Sequence, residues 1–143
     1  MNDAGRNDKN YNKVTPEEFV KVIALMPSLL AAFLTPYSAY DYISKGATCY
    51  LSEDSTSGYA ITADSELISV FSLPGARQGV AAVHSAVENG ARKLDCLDTI
   101  LVQLYSKLGF VEYDRMAWDD QYAPEKWDYD SFGRPDVVFM KID

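Results

Sequence analysis

Apolar positions in the first third of the chain recur at helical spacing. Thr15-Pro16-Glu17-Glu18 is a helix start, with Thr as N-cap, Pro at the first helical position and acids in the first turn. Phe19, Val22, Ile23 and Met26 follow three and four residues apart, which predicts one amphipathic face. Pro27 interrupts it, and Ser28 to Leu34 predicts a second, short apolar helix. Thr35-Pro36 repeats the start signal for a helix ending near Lys45-Gly46, with glycine just beyond the cap.

From Ala47 the period changes to that of strands. Ala47 to Leu51, Gly58 to Thr62 and Glu66 to Ser72 read as strands joined by turns at Glu53–Ser57 and Ala63-Asp64, an antiparallel meander. Leu73-Pro74-Gly75 opens a loop. Gly79 to Asn89 predicts a helix with Val80, Val83, His84 and Val87 on one face and Gly90 as its stop. Lys93 to Cys96 is a short strand. Asp98 is read as the cap of a helix running to Lys107 and stopped by Gly109. Phe110 to Trp118 alternates as a strand, with Val111, Tyr113, Arg115 and Ala117 sharing a face. A long connection over 119–135 leads to a last strand, Val137 to Ile142. Helices on a sheet with two strand–helix crossovers make an α+β, or three-layer α/β, domain over 14–143, after a flexible polar tail of residues 1–13.

At 143 residues a single domain is expected, long enough for a core without staples. Cys49 and Cys96 show no metal or redox spacing and read as two reduced thiols of a cytoplasmic protein. The net charge of −8 argues against binding a phosphate backbone and favours a cationic partner or an amine, with solubility as the plain alternative. The polar N-terminus carries no signal-like apolar run, and Ile23 to Leu34 is too short and broken to span a bilayer. No metal-ligand spacing and no Ser-His-Asp constellation is visible, and His84, the single histidine, reads as a helix-face residue.

Three stretches carry candidate chemistry. In Leu73 to Ala82 a strand runs through a Gly-bearing loop into a helix N-terminus, which suits a phosphate, with Gly79 permitting close approach and Arg77 adding charge; an ordinary connection is the plain alternative. Leu104-Tyr105-Ser106-Lys107-Leu108-Gly109-Phe110 closes a helix, with Tyr105 either a core aromatic or a reacting phenol. Residues 118–136 gather Trp118, Tyr122, Trp127, Tyr129 and Phe132 with Asp119, Asp120, Asp128 and Asp130, which either attract a cationic acceptor or cover a sheet edge.

In these residues and their order the sequence resembles the GNAT superfamily of acyl-CoA-dependent N-acetyltransferases. That family has a strand, a loop of the type Gln/Arg-x-x-Gly-x-Gly/Ala opening a helix, and a short strand. A second helix then ends Leu-Tyr-x-Lys-x-Gly-Phe before another strand. Residues 104–110 match that ending at every fixed position. Gly79 and Ala81 fall on the last two fixed positions of the loop, Ala76 stands where Gln or Arg is usual, and Asp98 stands where many members have Asn. The resemblance covers about residues 47–143.

It implies a GNAT-like, mostly antiparallel mixed sheet with splayed central strands, and acetyl-CoA as cosubstrate. The coenzyme's pyrophosphate would lie on Arg77, Gln78, Gly79, Val80, Ala81 and Ala82, with Ser72, Leu73, Asp98 and Lys107 completing its contacts. Its pantetheine arm would pass near Ser69–Ser72 and Leu94–Cys96. Tyr105 is the implied general acid, with Asp95 or, second, Glu66 as general base. Tyr37, from the helical region before Tyr42, and Trp118, Tyr122, Trp127, Asp128 and Asp130 would line the acceptor side. The resemblance implies an amine-bearing small molecule or protein as acceptor, with no nucleic acid and no membrane, and leaves a homodimer open. The alternative is a catalytically degenerate module, of the kind a phage encodes, that binds a protein partner through its acidic aromatic surface.

Overall fold

The computed structural model describes residues 10–124 and 126–143. In chain order the elements are β1 (Tyr11–Val14), α1 (Pro16–Ile23), α2 (Ser28–Ala31), α3 (Ala39–Ser44), β2 (Thr48–Ser52), β3 (Ser57–Ile61), β4 (Leu67–Ser72) and α4 (Gly79–Glu88). These are followed by β5 (Lys93–Leu97), α5 (Ile100–Lys107), β6 (Val111–Met116), a 3-10 turn at Asp120–Tyr122, α6 (Tyr129–Phe132) and β7 (Val137–Lys141). They form two compact units. The first comprises the chain up to Met26 together with Pro36–Ala91, and the second Pro27–Thr35 with Arg92–Asp143. No helix among the described residues is long and apolar enough to cross a membrane.

The first unit is built on the expected meander, an antiparallel sheet of order β1-β2-β3-β4. The expected tail reaches less far than residue 13: Tyr11–Val14 pairs with β2, Tyr11 opposite Ser52 and Val14 opposite Cys49. Tyr11 is what anchors it. Its ring lies 5.5 Å from that of Tyr59 and its hydroxyl 2.8 Å from Ser57 Oγ. Residues 1–9 lie outside the described residues. The N-cap read at Thr15 is present, and with Glu18 it forms a capping box, Glu18 N–H donating to Thr15 Oγ1 at 3.1 Å. The cap of α3 is Ser38 rather than Thr35. Ser38 and Asp41 exchange bonds, with Ser38 N–H donating to Asp41 Oδ2 at 2.7 Å. Helix α4 packs on β3 and β4 through Ala82, Val83 and Ala86, all fully buried. The expected Val80 and His84 face is therefore turned outward: Val80 is 51% exposed and His84 is exposed as well. Ala82 and Ala86 thus share the buried stripe with Val83, and Val80 and His84 lie outside it.

The second unit is a sheet of order β5-β7-β6, also antiparallel. Leu94 lies opposite Met140 and Cys96 opposite Val138, and these four form its buried face. Helix α5 lies against β5. The expected α+β class holds, with the strands divided between two sheets. Asp98 does not cap α5. Thr99 does, its Oγ1 accepting from Leu101 N–H at 3.3 Å, while Asp98 accepts from Arg115 Nη1 at 2.7 Å. A bulge between Glu112 and Asp114 also breaks the face expected for β6. Glu112 faces Met140 and Arg115 faces Val138, so Arg115 shares a face with Glu112 and not with Val111. There it donates to Glu112, Asp98 and Asp136.

Candidate active site

The loop from Ser72 to Gln78 is tied down by its own polar groups. Leu73 N–H donates to Thr56 C=O at 2.7 Å, Ala76 N–H to Leu73 C=O at 3.0 Å, and Gln78 N–H to Ser72 Oγ at 3.0 Å. Arg77 takes a left-handed conformation, φ 53°, and its side chain is left exposed. Gln78 is 5% exposed; its Nε2 donates to Ala76 C=O at 3.0 Å, and its Oε1 is buried without a partner.

Gln78 provides no side-chain cap for α4, and the first intrahelical bond runs from Ala82 N–H to Gln78 C=O at 2.8 Å. The N–H groups of residues 79–81 thus precede the ladder, at the positive end of the ten-residue helix. A Cβ built on Gly79 would meet nothing within 4 Å, so the space beside these amides is open. Val80 is exposed, whereas Ala82 is buried against the sheet with its amide already used.

Just upstream of the loop, β4 is irregular. Gly58 pairs with Phe71 and Ala60 with Ile68, so Ser69 and Val70 together face the single residue Tyr59. Ser69 has φ 58°. Its Oγ lies 2.7 Å from the Tyr42 hydroxyl, whose ring is held between Phe19 and Tyr37 at 5.3 Å each. Sequence reading missed Tyr42 and this bulge. The signal was there in "LISVFS": apolar residues at 67, 68, 70 and 71 around Ser69 do not alternate, as an inserted residue requires. Glu66 lies at the start of the same strand, about 10 Å from Ser69 at strand rise. Its amide donates to Thr62 Oγ1 at 3.2 Å and its carbonyl accepts from Thr62 N–H at 2.9 Å. Tyr37 is half-buried, with Lys45 Nζ 5.0 Å from its ring centre.

In the second unit, Tyr105 is 7% exposed, and among the described residues nothing hydrogen-bonds its hydroxyl. Burial, reinforced by Cys96 and Asp95, holds this phenol well above its ordinary range. Burial likewise pushes the Cys96 thiol up to about 12, leaving it neutral. Asp95 is raised by the protein bulk around it. Water still reaches this exposed side chain, so the upward bias acts on a solvated carboxyl. Lys107 is exposed in the last turn of α5.

The expected acceptor wall is an aromatic cluster organised by its own aspartates. Trp127 packs on Phe33, Trp118 and Phe132 at 5.1 to 5.4 Å, and its Nε1 donates to Gly133 C=O at 2.9 Å. Asp120 accepts from Trp118 Nε1, the Tyr129 hydroxyl and Arg134 Nε. Asp119 caps the 3-10 turn, and Asp128 caps α6 through Ser131. That leaves Asp130 exposed with its carboxylate uncommitted among the described residues, and Tyr122 is 77% exposed.

No protein-family model matches the sequence and no curated protein is similar to it. Solved structures are similar in fold. A GNAT-superfamily phosphinothricin acetyltransferase from Sinorhizobium meliloti, in complex with acetyl-CoA, superposes with a TM-score of 0.62 at 14% identity, over 92% of this chain and 86% of that one. The ribosomal-protein-S18-alanine N-acetyltransferase of Escherichia coli gives 0.61 at 16%, over 94% and 92%. A chimeric spermidine N-acetyltransferase from Vibrio cholerae gives 0.60 at 16%, over 95% and 96%. Almost the whole chain takes part in each match, and the protein has the fold of the GNAT superfamily of N-acetyltransferases.

Proposed function

We propose that the protein is an acyl-CoA-dependent N-acetyltransferase acting on an amine of a small molecule or protein. The observation that carries this is the start of α4: three leading amides, no side-chain cap, open space at Gly79 and an exposed Arg77 beside it. That arrangement fits a pyrophosphate. The buried, unpartnered Gln78 Oε1 marks the same loop as a place where a hydrogen-bond donor is wanted.

Acetyl-CoA supplies an activated acetyl thioester. The amides of residues 79–81 and Arg77 bind its phosphates. The peptide that the Ser69–Val70 bulge removes from the ladder donates to the thioester carbonyl as negative charge grows there. Asp95 takes the proton of the attacking amine, directly or through water, with Glu66 the second candidate. As the new C–N bond forms and the C–S bond breaks, the Tyr105 hydroxyl gives its proton to the departing thiolate; burial keeps that phenol protonated across the working pH range. The products are an N-acetyl amine and free coenzyme A.

The proteins of similar fold named above include a spermidine N-acetyltransferase and a ribosomal-protein-S18-alanine N-acetyltransferase. With a net charge of −8, a basic acceptor is favoured here too. The test is release of coenzyme A thiol from acetyl-CoA over a panel of polyamines, aminoglycoside-like amines and lysine peptides. Amine-dependent release is the expected result. Coenzyme binding with no release for any amine would instead favour a degenerate binding module.

A further inference from the structure

We infer that Tyr42 is a positioning residue for acyl transfer: its hydroxyl holds the β4 bulge at Ser69 in the shape that presents the bulge peptide to a thioester carbonyl. This rests on the acyl-CoA reading above.

The two-against-one register around Tyr59 is a β-bulge whose first residue is left-handed, a position that ordinarily belongs to glycine. Here it is Ser69, with φ 58°, and its Cβ makes that conformation strained. Strain of this kind persists only where the surroundings over-determine it. Tyr42 supplies that determination from α3. Its hydroxyl meets Ser69 Oγ at 2.7 Å, and its ring is clamped edge-to-face by Phe19 at 5.3 Å. Phe19 in turn meets Phe71, the first residue past the bulge to regain a ladder partner, at 5.6 Å. The register there is fixed from the other strand as well. A Cβ on Gly58, the partner of Phe71, would fall 3.0 Å from Phe71 Cε1 and 2.9 Å from Leu51 Cδ2.

The backbone of Tyr42 is equally committed, its carbonyl accepting from Ala47 N–H at 2.9 Å where α3 ends at Gly46. Burial pushes this phenol up to about 12, so it stays a neutral partner for Ser69 at any working pH. A serine takes the place of glycine because its Oγ gives the phenol something to hold. The bulge peptide is then aimed by α3 and not left to a flexible glycine.

The experiment is calorimetric titration of acetyl-CoA and of CoA into wild type, Tyr42→Phe and the double variant Tyr42→Phe/Ser69→Gly. CoA lacks the thioester carbonyl, so the change in the ratio of the two affinities from wild type to variant reports the bulge peptide. Wild type is expected to prefer acetyl-CoA by about 5- to 10-fold, the worth of one hydrogen bond. Tyr42→Phe, which keeps the ring, should bring that ratio close to one while leaving CoA affinity in place, and should lower kcat by about the same factor. Ser69→Gly added to Tyr42→Phe should recover the preference, because glycine takes the left-handed conformation without support. A ratio unchanged in Tyr42→Phe, an equal loss for both ligands, or no recovery in the double variant overturns the inference. So does a wild type that binds both ligands alike, which would leave the coenzyme reading standing. A wild type that binds neither overturns that reading itself.

Discussion

Phe110 N–H donates to the Tyr105 carbonyl at 3.0 Å, and the two rings meet edge-to-face at 5.9 Å. Together with the Gly109 N–H bond to Ser106 C=O at 3.1 Å and Gly109 at φ 103°, this closes α5 as a Schellman motif. The backbone and ring of Tyr105 thus serve packing, while its hydroxyl serves nothing among the described residues. Tyr105→Phe is expected to keep the circular dichroism spectrum and the melting temperature of the wild type and to slow thiol release by about 10²- to 10⁴-fold. Phe110→Ala should do the reverse. It removes a ring 2% exposed, costs about 3–5 kcal/mol in denaturant unfolding, and affects turnover only through the folded fraction.

The pH dependence follows from Asp95. Its carboxyl is raised by burial, and in its proposed role as base it must be ionised. The rate should therefore rise with pH along a limb centred above the ordinary carboxylate range, and Asp95→Asn should abolish that limb. A limb that persists in Asp95→Asn and vanishes in Glu66→Gln would move the base to Glu66. The sign for stability is opposite. A raised carboxyl favours the fold most while protonated, and that advantage is lost as pH climbs through its folded value. Asp95→Asn should hence leave the fold at least as stable at neutral pH.

Much of the fold was legible because capping and stopping residues act locally. Thr15, Gly46, Gly90 and Gly109 lie at helix boundaries, as their spacing predicted. What went astray was decided by partners distant in sequence. Asp98 looks like a cap, but Arg115, seventeen residues on, claims its carboxylate, and Thr99 takes its place. Tyr11 reads as tail until Ser57 and Tyr59 are placed beside it. Val80 and His84 share a stripe with Val83, yet the sheet takes Val83 together with Ala82 and Ala86 and leaves the other two outside. At the candidate site, the loop before α4 and Tyr105 carry local signatures. Tyr42 does not: nothing near residue 42 announces a hydroxyl required at residue 69.

The acidic loop separates two aspartates that sequence reading treated alike. Asp128 bonds Ser131 Oγ at 2.7 Å and Ser131 N–H at 3.1 Å, and these bonds hold its carboxyl below the usual range. Asp130 makes no such bond among the described residues. Asp128→Asn should loosen α6 and lower the melting temperature by a few degrees, with little electrostatic effect on an acceptor. Asp130→Asn should leave melting unchanged and raise KM for a cationic amine about two- to fivefold at low salt, fading as salt screens it. Steady-state kinetics at two ionic strengths checks both.

Alkaline stability should fall earlier than tyrosines alone would require. Burial pushes the Cys49 thiol up to about 11 and the Cys96 thiol up to about 12, whereas an unfolded thiol titrates at about 8.5. The unfolded chain therefore releases these protons first. Stability is whole below about pH 8.5 and declines as pH rises through the folded values. Urea midpoints at neutral pH and at successive steps above pH 8.5 should trace the decline, and Cys96→Ala should make it shallower.

The proposed acyl transfer requires a coenzyme bound at the start of α4. The most direct measurement is a thermal melt of wild type and Gly79→Glu over an acetyl-CoA titration. Wild type should be stabilised progressively, by about 2.7 kcal/mol at one hundred times Kd. Gly79→Glu should fold with an unchanged melt and show no shift, because its side chain and negative charge would occupy the open space proposed for the pyrophosphate. A wild type indifferent to millimolar acetyl-CoA, or a Gly79→Glu protein stabilised as strongly as wild type, would contradict it.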